Sequence, residues 1–113
     1  MGKEQLLASK SLLENEFYRD PITLAYFSMH SSAKALLLKR GISPKTHEGT
    51  LRQLAKEYVK EGLFSKESYN YFDYARTMRN KSSYACGIVF SEDLAQEIIS
   101  HAEKFLDEVE QLL

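Results

Sequence analysis

The sequence predicts an all-α protein: an antiparallel up-and-down four-helix bundle with one additional short helix. Three observations lead to this fold class. Apolar residues recur at helical spacing in four longer segments, and Gly, Pro and capping residues separate the segments. The one strand-like segment, 86–90, is too short to pair as a sheet alone, so we expect an extended link there. The length of 113 residues suits a single domain covering residues 1–113.

Two long helices are predicted in the first third of the chain. The first spans about residues 3–18, where Leu6, Leu13 and Phe17 recur at helical spacing. The second is expected to start at Asp20-Pro21, because Asp is a good cap and Pro fits the first helical position. It should end at Gly41, after two cations in its last turn. Its apolar stripe consists of Ile22, Ala25, Tyr26, Met29, Ala33, Leu36 and Leu37.

The middle of the chain predicts a short helix and a longer one. Thr46 is expected to cap the short helix, which runs to about Lys60 and is broken by Gly62. Ser65 should cap the fourth helix, which extends to about residue 81 or 82. One side of this helix is expected to face the core: Tyr71, Tyr74, Ala75 and Met78. A second stripe, at steps of four, three and four, contains Phe72, Arg76, Arg79 and Ser83.

The last helix is expected to begin after a Ser91 cap, with Glu92 and Asp93 at its positive end. Its apolar stripe faces either its own core or a dimer seam, and it consists of Leu94, Ile98, Ala102, Phe105, Val109 and Leu112.

The charge of the chain is balanced overall and uneven locally. The formal net charge is −1, which argues against general attraction to nucleic acid or membrane. Residues 34–81 hold eleven Lys and Arg against five Asp and Glu, whereas residues 91–113 hold one Lys against seven acids. This asymmetry indicates either a basic and an acidic face or simply solvated helix surfaces.

Neither a membrane span nor a disulfide is expected. No stretch approaches the roughly 18–20 apolar residues that a membrane span needs. The single cysteine, Cys86, excludes an intrachain disulfide and fits a cytoplasmic location.

The sequence lacks the motifs of metal and cofactor sites. His30, His47 and His101 are far apart, and there is no Glu-x-x-His or Cys-x-x-Cys pair. Gly-rich phosphate loops and the Gly-x-Ser-x-Gly motif are also missing. We therefore expect no metal and no cofactor.

Arg76 and Arg79 are the best candidates for a binding site. Two guanidiniums on one helix face can hold phosphate oxygens through paired hydrogen bonds. Alternatively, Asp73 and glutamates of neighbouring helices pair with them, as is common for cations near a helix end.

Taken together, several short segments resemble small stand-alone HEPN proteins of bacteria and archaea. The resemblance covers roughly residues 4–112, and it rests on the order and spacing of Phe17-Tyr18-Arg19-Asp20, Ala25-Tyr26-Phe27-Ser28-Met29, Ala33-Lys34-Ala35-Leu36-Leu37, Lys39-Arg40-Gly41-Ile42-Ser43-Pro44-Lys45-Thr46-His47, Arg79-Asn80-Lys81-Ser82-Ser83-Tyr84 and Ser91-Glu92-Asp93-Leu94-Ala95. It implies a helical bundle that is commonly a homodimer. Many such proteins pair with a minimal nucleotidyltransferase as toxin and antitoxin.

The resemblance also implies a site at Arg79-Asn80. Toxic HEPN proteins are metal-independent RNases whose motif is Arg, often Asn, and then His four to six residues after the Arg. Here Tyr84 stands where that histidine could first occur, and a tyrosine, with a reference pKa of about 10, is a weak base. Relatives often carry a further histidine on the second helix, where this chain has Ser31, one residue after His30.

Three functions follow from the resemblance and its departures. The first is a module that binds a nucleotide or RNA phosphate through Arg76, Arg79 and Asn80. In it, Tyr84 stacks on a base or accepts AMP from the nucleotidyltransferase. The second is a weak or divergent metal-independent RNase, with Arg79 as the catalytic residue. The third is a purely structural bundle.

Overall fold

Helices make up nearly all of the described part of the chain. The computed structural model describes residues 19–84 and 92–113, with side chains for 21–80 and 92–113. The helices are α1 (Arg19–Leu38), α2 (His47–Leu54), α3 (Lys66–Tyr84) and α4 (Glu92–Leu112). These two ranges contain no strand, which confirms the predicted all-α bundle with a short additional helix. Within them, no helix is long and apolar enough to cross a membrane.

Three of the sequence predictions fall on residues that the structure does not describe. They are the first helix at about residues 3–18, the link at 86–90 and the cap at Ser91.

The three long helices alternate in direction. The backbone N–H and the hydroxyl of Ser65, just before α3, donate to the Glu108 carboxylate near the end of α4, at 2.7 and 2.9 Å. The Lys39 ammonium, just after α1, donates to the Leu112 carbonyl at 2.7 Å. The ends of α1 and α4 therefore lie beside the start of α3. As a result, the last turns of α3 reach the first half of α1.

The predicted helix starts and stops are largely confirmed. The Thr46 hydroxyl accepts the Gly49 N–H at 2.8 Å, and the Ser65 hydroxyl accepts the Ser68 N–H at 3.1 Å. Two glycines after α1 and α2 have φ of 77° and 76°, a left-handed conformation that favours glycine: Gly41 and Gly62.

Two helix boundaries differ slightly from the prediction. Asp20, the expected cap, already lies within α1, which is described from Arg19 onwards. Helix α3 is still helical at Tyr84, two residues past Ser82, the later of the two predicted ends.

Helix α2 widens into a π-helical turn over Ala55–Val59. Arg40 binds this turn, donating from Nη1 to the Glu57 carbonyl at 2.6 Å and lying 4.2 Å above the centre of the Tyr58 ring. The Tyr58 hydroxyl donates to the Leu36 carbonyl at 3.0 Å. These contacts fix the turn against α1.

The predicted core stripe of α1 is buried, and that of α4 is buried except at its two ends, which are partly buried. The predicted core face of α3 was only partly right: Tyr71 and Met78 pack partly buried against the core, but Tyr74 does not. Tyr74 is 37% exposed, and Phe72, which we placed on the other stripe, is fully buried. Of the four expected core residues only Ala75 is fully buried. The inward face is set by Phe72 and Ala75. Arg79, seven residues after Phe72, lies on that same face and points towards α1.

Candidate functional site

One wall of the candidate site is built by α1. Tyr26 and His30 are one helical turn apart and therefore share a face. Their ring centroids are 6.0 Å apart, with 28° between the ring planes. Tyr26 is fully buried, whereas Phe27 and His30 are half-buried at the edge of the core.

His47, the first residue of α2, docks onto this wall. Its ring stacks on His30 with centroids 4.1 Å apart and planes 11° apart. Its Nδ1 shares a 2.6 Å hydrogen bond with the Tyr26 hydroxyl. Because the Thr46 cap fixes where α2 begins, it also fixes the place of His47.

The other wall is the end of α3. The guanidinium carbon of Arg79 lies 5.1 Å from the centre of the Phe27 ring and 6.0 Å from the centre of the Tyr26 ring. Its Nη1 also approaches Asn80 Oδ1, at 3.4 Å. Arg76 is one turn earlier and acts electrostatically on both Tyr26 and His47. Arg79 and Arg76 thus act on His47, which is distant from them in sequence and stacks on His30.

The charged groups that act on His47 within the described residues are all positive. Burial lowers the pKa of His47, and Arg79, Arg76 and Lys34 lower it further. The imidazole is therefore held neutral near pH 7 in a region of positive potential. Such a region attracts an anion, and a neutral imidazole beside it can accept a proton.

His30 is also held neutral. Burial, followed by the neighbouring His47 and Lys34, lowers the pKa of His30 to about 4. The Thr50 hydroxyl donates to the Thr46 carbonyl at 3.1 Å, so its oxygen accepts from His30 Nε2 at 3.3 Å. This arrangement puts the ring proton of His30 on Nε2.

Tyr26 remains protonated. Burial raises its pKa to about 12, although Arg76 and Arg79 act in the opposite direction. Its hydroxyl can therefore donate to His47 Nδ1 and place the ring proton of neutral His47 on Nε2.

Chemically, the arrangement combines cationic guanidiniums, neutral imidazoles and a buried hydroxyl. Guanidiniums bind phosphate oxygens well, and a neutral imidazole can move a proton. Among the described residues, no group of three or more His, Cys, Asp or Glu is placed to hold a metal ion.

The candidate residues from the sequence fall in one region as far as they are described. Arg76, Arg79 and Asn80 lie on the last turns of α3. Tyr84 is the last described residue of that helix, and its side chain is outside the described ones. Sequence reasoning did not assign His30 and His47 to this site. One signal existed: the i, i+4 spacing of Tyr26 and His30 already put them on one face.

Comparison with known proteins identifies the family of this chain. The HEPN domain family model matches residues 1–112. Two proteins of Methanocaldococcus jannaschii named "Putative toxin" are similar to this chain. One is 34% identical over all of this chain and 84% of its own length, and the other is 32% identical over 99% and 76%. A UPF0332 protein of Thermotoga maritima is 32% identical over 99% of this chain and 85% of its own length. This chain therefore belongs to the HEPN family.

Proposed function

We propose that this protein is a toxin-type HEPN module that binds an RNA phosphate between the end of α3 and the start of α2. One observation carries the proposal: the Arg79 guanidinium lies 6.0 Å from the ring centre of Tyr26, whose hydroxyl is hydrogen-bonded to His47. Arg79 and Arg76 accordingly lower the pKa of His47. The names of the relatives from Methanocaldococcus jannaschii support the toxin type.

In the proposed complex the two arginines hold the phosphate. Arg79 donates two parallel N–H groups to its oxygens, and Arg76 adds a second positive charge. Asn80 orients the Arg79 guanidinium, with which it is already in contact. His47 Nε2–H supplies a further donor, and Tyr84 stacks on a neighbouring base.

Arg79→Ala should weaken binding of single-stranded RNA by about 10- to 100-fold, since a hydrogen-bonded charge contributes about 1.5–3 kcal/mol. Arg79→Lys should recover only part of the affinity, because an ammonium cannot make the paired contact. Fluorescence anisotropy with labelled RNA at low salt measures both effects. Lys104→Ala, which removes one charge from α4, serves as the control.

Equal affinity in the wild type and Arg79→Ala would contradict the proposed site and favour a purely structural bundle. Thermal unfolding of each variant separates lost binding from lost folding. The Lys104→Ala control should match the wild type within about twofold, because screened surface charges contribute little.

A second candidate function is metal-independent RNA cleavage, favoured by neutral His47, on which Arg79 acts, and by neutral His30 stacked against it. For cleavage, His47 would need its other tautomer, in which Nδ1–H donates to the Tyr26 hydroxyl and Nε2 is free. The RNA 2′-hydroxyl would then attack the adjacent phosphorus while His47 Nε2 takes its proton. The bond to the 5′-oxygen breaks, that oxygen takes a proton from water, and a cyclic phosphate remains. Arg79 would stabilise the additional charge on the phosphoryl oxygens.

Cleavage is tested by incubating purified protein with RNA in EDTA. We expect His47→Gln and Arg79→Ala to lose the activity of the wild type, while Lys104→Ala keeps it. Equal cleavage by all the preparations would indicate a contaminating nuclease. If the wild type does not cleave RNA, the cleavage proposal is wrong and only the binding proposal remains.

The proposal includes two partners, a second copy of this chain and a minimal nucleotidyltransferase. In the transfer step the Tyr84 hydroxyl attacks the α-phosphate of ATP, losing its proton and releasing pyrophosphate, so that AMP is joined to the oxygen. Co-purification from the native cell, size-exclusion chromatography and the mass of the Tyr84 peptide test these claims. If no nucleotidyltransferase is enriched and Tyr84 is unmodified, this part of the proposal is wrong.

A further inference from the structure

A second basic surface lies between the π-helical turn and the first half of α3. It is a groove of about 530 Å³. One side carries Arg52, Lys56 and Lys60, and the other carries Lys66, Tyr69 and Asn70. We call it the basic groove.

The lysines of the basic groove are available for a ligand. Lys56, Lys60 and Lys66 are exposed, and none of them forms an ion pair with another described residue. Arg52 forms only an exposed pair with Glu48, at 3.5 Å. Such an exposed pair contributes little and is easily exchanged for another anion.

Arg76 lies on α3 between the basic groove and the candidate site, seven residues after Tyr69 and therefore on the same face of the helix. It acts electrostatically on Tyr69 in the groove, and also on Tyr26 and His47 in the site. The carboxylate of Asp73 also acts on Tyr69, so the positive potential is lower at that point. From Lys66 to Arg79 the helix rises roughly 20 Å, at about 1.5 Å per residue.

The groove also offers an aromatic surface. Tyr69 is half-buried among the cations, so part of its ring remains accessible. Proteins that bind single-stranded nucleic acid without sequence preference combine two elements. Cations bind the phosphate backbone, and aromatic rings stack on the bases. A distance of roughly 20 Å corresponds to about six stacked nucleotides at a rise of about 3.4 Å each.

We infer that the basic groove holds the single RNA strand that continues from the phosphate bound at Arg79, with Lys56, Lys60 and Lys66 on its phosphates and Tyr69 against a base. This inference rests on the proposed function and extends it to the substrate: a single-stranded RNA of several nucleotides. A free nucleotide would be too short to reach the groove.

The test compares two RNA lengths, one of about three nucleotides and one of about ten, since the track spans about six. Anisotropy titrations at several salt concentrations use the wild type, Lys56→Ala/Lys60→Ala and Arg79→Ala. The control, Lys39→Ala/Lys104→Ala, removes two charges outside the groove. Because Lys56 and Lys60 are exposed, their removal should leave the core intact.

We expect Lys56→Ala/Lys60→Ala to lower the affinity for the longer RNA about tenfold at low salt. The slope of log affinity against log salt concentration should become shallower by about 1.4, because each of the two lost phosphate contacts contributes about 0.7. The affinity for the three-nucleotide RNA should not change, and the control should bind both RNAs as tightly as the wild type does. Arg79→Ala should lower the affinity for both RNAs.

Equal effects of the groove variant and the control on the longer RNA would overturn the inference while leaving the Arg79 site in place. The inference would also be overturned if Lys56→Ala/Lys60→Ala changed only the self-association of the protein. The groove would then bind the acidic helix α4 of a second copy of the chain. If Arg79→Ala left both RNAs unchanged, the proposed function would fail, and the inference with it.

Discussion

Phe72→Ala should lower the free energy of unfolding by about 3–5 kcal/mol, the usual cost of removing a buried aromatic ring. The Phe72 side chain is fully buried between the long helices. Its ring centroid lies 5.1 Å from that of Phe105 on α4 and 5.7 Å from that of Tyr26 on α1. The loss therefore combines burial, aromatic contacts and the cavity left behind.

Urea unfolding followed by circular dichroism measures this change. Tyr74→Ala is the matched control, because Tyr74 is on the same helix and is 37% exposed; its cost should stay near 1 kcal/mol. A larger loss for Tyr74→Ala than for Phe72→Ala would contradict the position of α3 described here and restore the core face predicted from sequence.

Acid should destabilise the fold through His30 by up to about 3 kcal/mol. The pKa of His30 is lowered from 6.5 to about 4 in the folded chain, mainly by burial. Between those values the unfolded chain binds a proton that the folded chain does not. Stability from this group is therefore complete above about pH 6.5 and decreases as the pH falls towards 4, by at most about 1.4 kcal/mol per unit.

The His30→Gln variant isolates this effect, since glutamine can still donate to Thr50 and does not titrate. In urea unfolding at several pH values, the variant should lose less stability than the wild type between pH 6.5 and 4. Carboxylates titrate in both proteins and cancel in the comparison. Parallel stability curves for wild type and variant would mean that His30 is not buried in its neutral form.

Much of the fold could be predicted because it is determined locally. The Thr46 and Ser65 caps and the glycines at 41 and 62 act through their own hydrogen bonds and backbone angles. The rotation of α3 about its own axis, which decides the buried face, is not determined by local sequence. Periodicity counts Tyr74 and Phe72 equally as apolar, but a tyrosine can leave its hydroxyl in water, so packing against α1 and α4 decided between them.

The arginines of the site could be predicted from local sequence, but its histidines depend on tertiary packing and could not. Arg76 and Arg79 share a helix face that the sequence displays. His47 reaches them only because the loop after α1 returns the start of α2 to the Tyr26 side of the bundle, a placement that spacing alone cannot reveal. The missing histidine of the Arg79 motif made cleavage look weak, yet the fold brings two other histidines to the same cluster.

One anion site shared by α2 and α3 is the central prediction, and NMR titration of His47 tests it most directly. Arg79 and Arg76 lower the pKa of His47, so a bound phosphate that offsets their charge should raise it. We expect a short RNA of about three nucleotides to shift the His47 ring and Arg79 guanidinium signals together and to raise the His47 pKa, and we expect Arg79→Ala to abolish the RNA-dependent change. Saturable RNA binding that leaves the His47 signals and pKa unchanged would contradict the account.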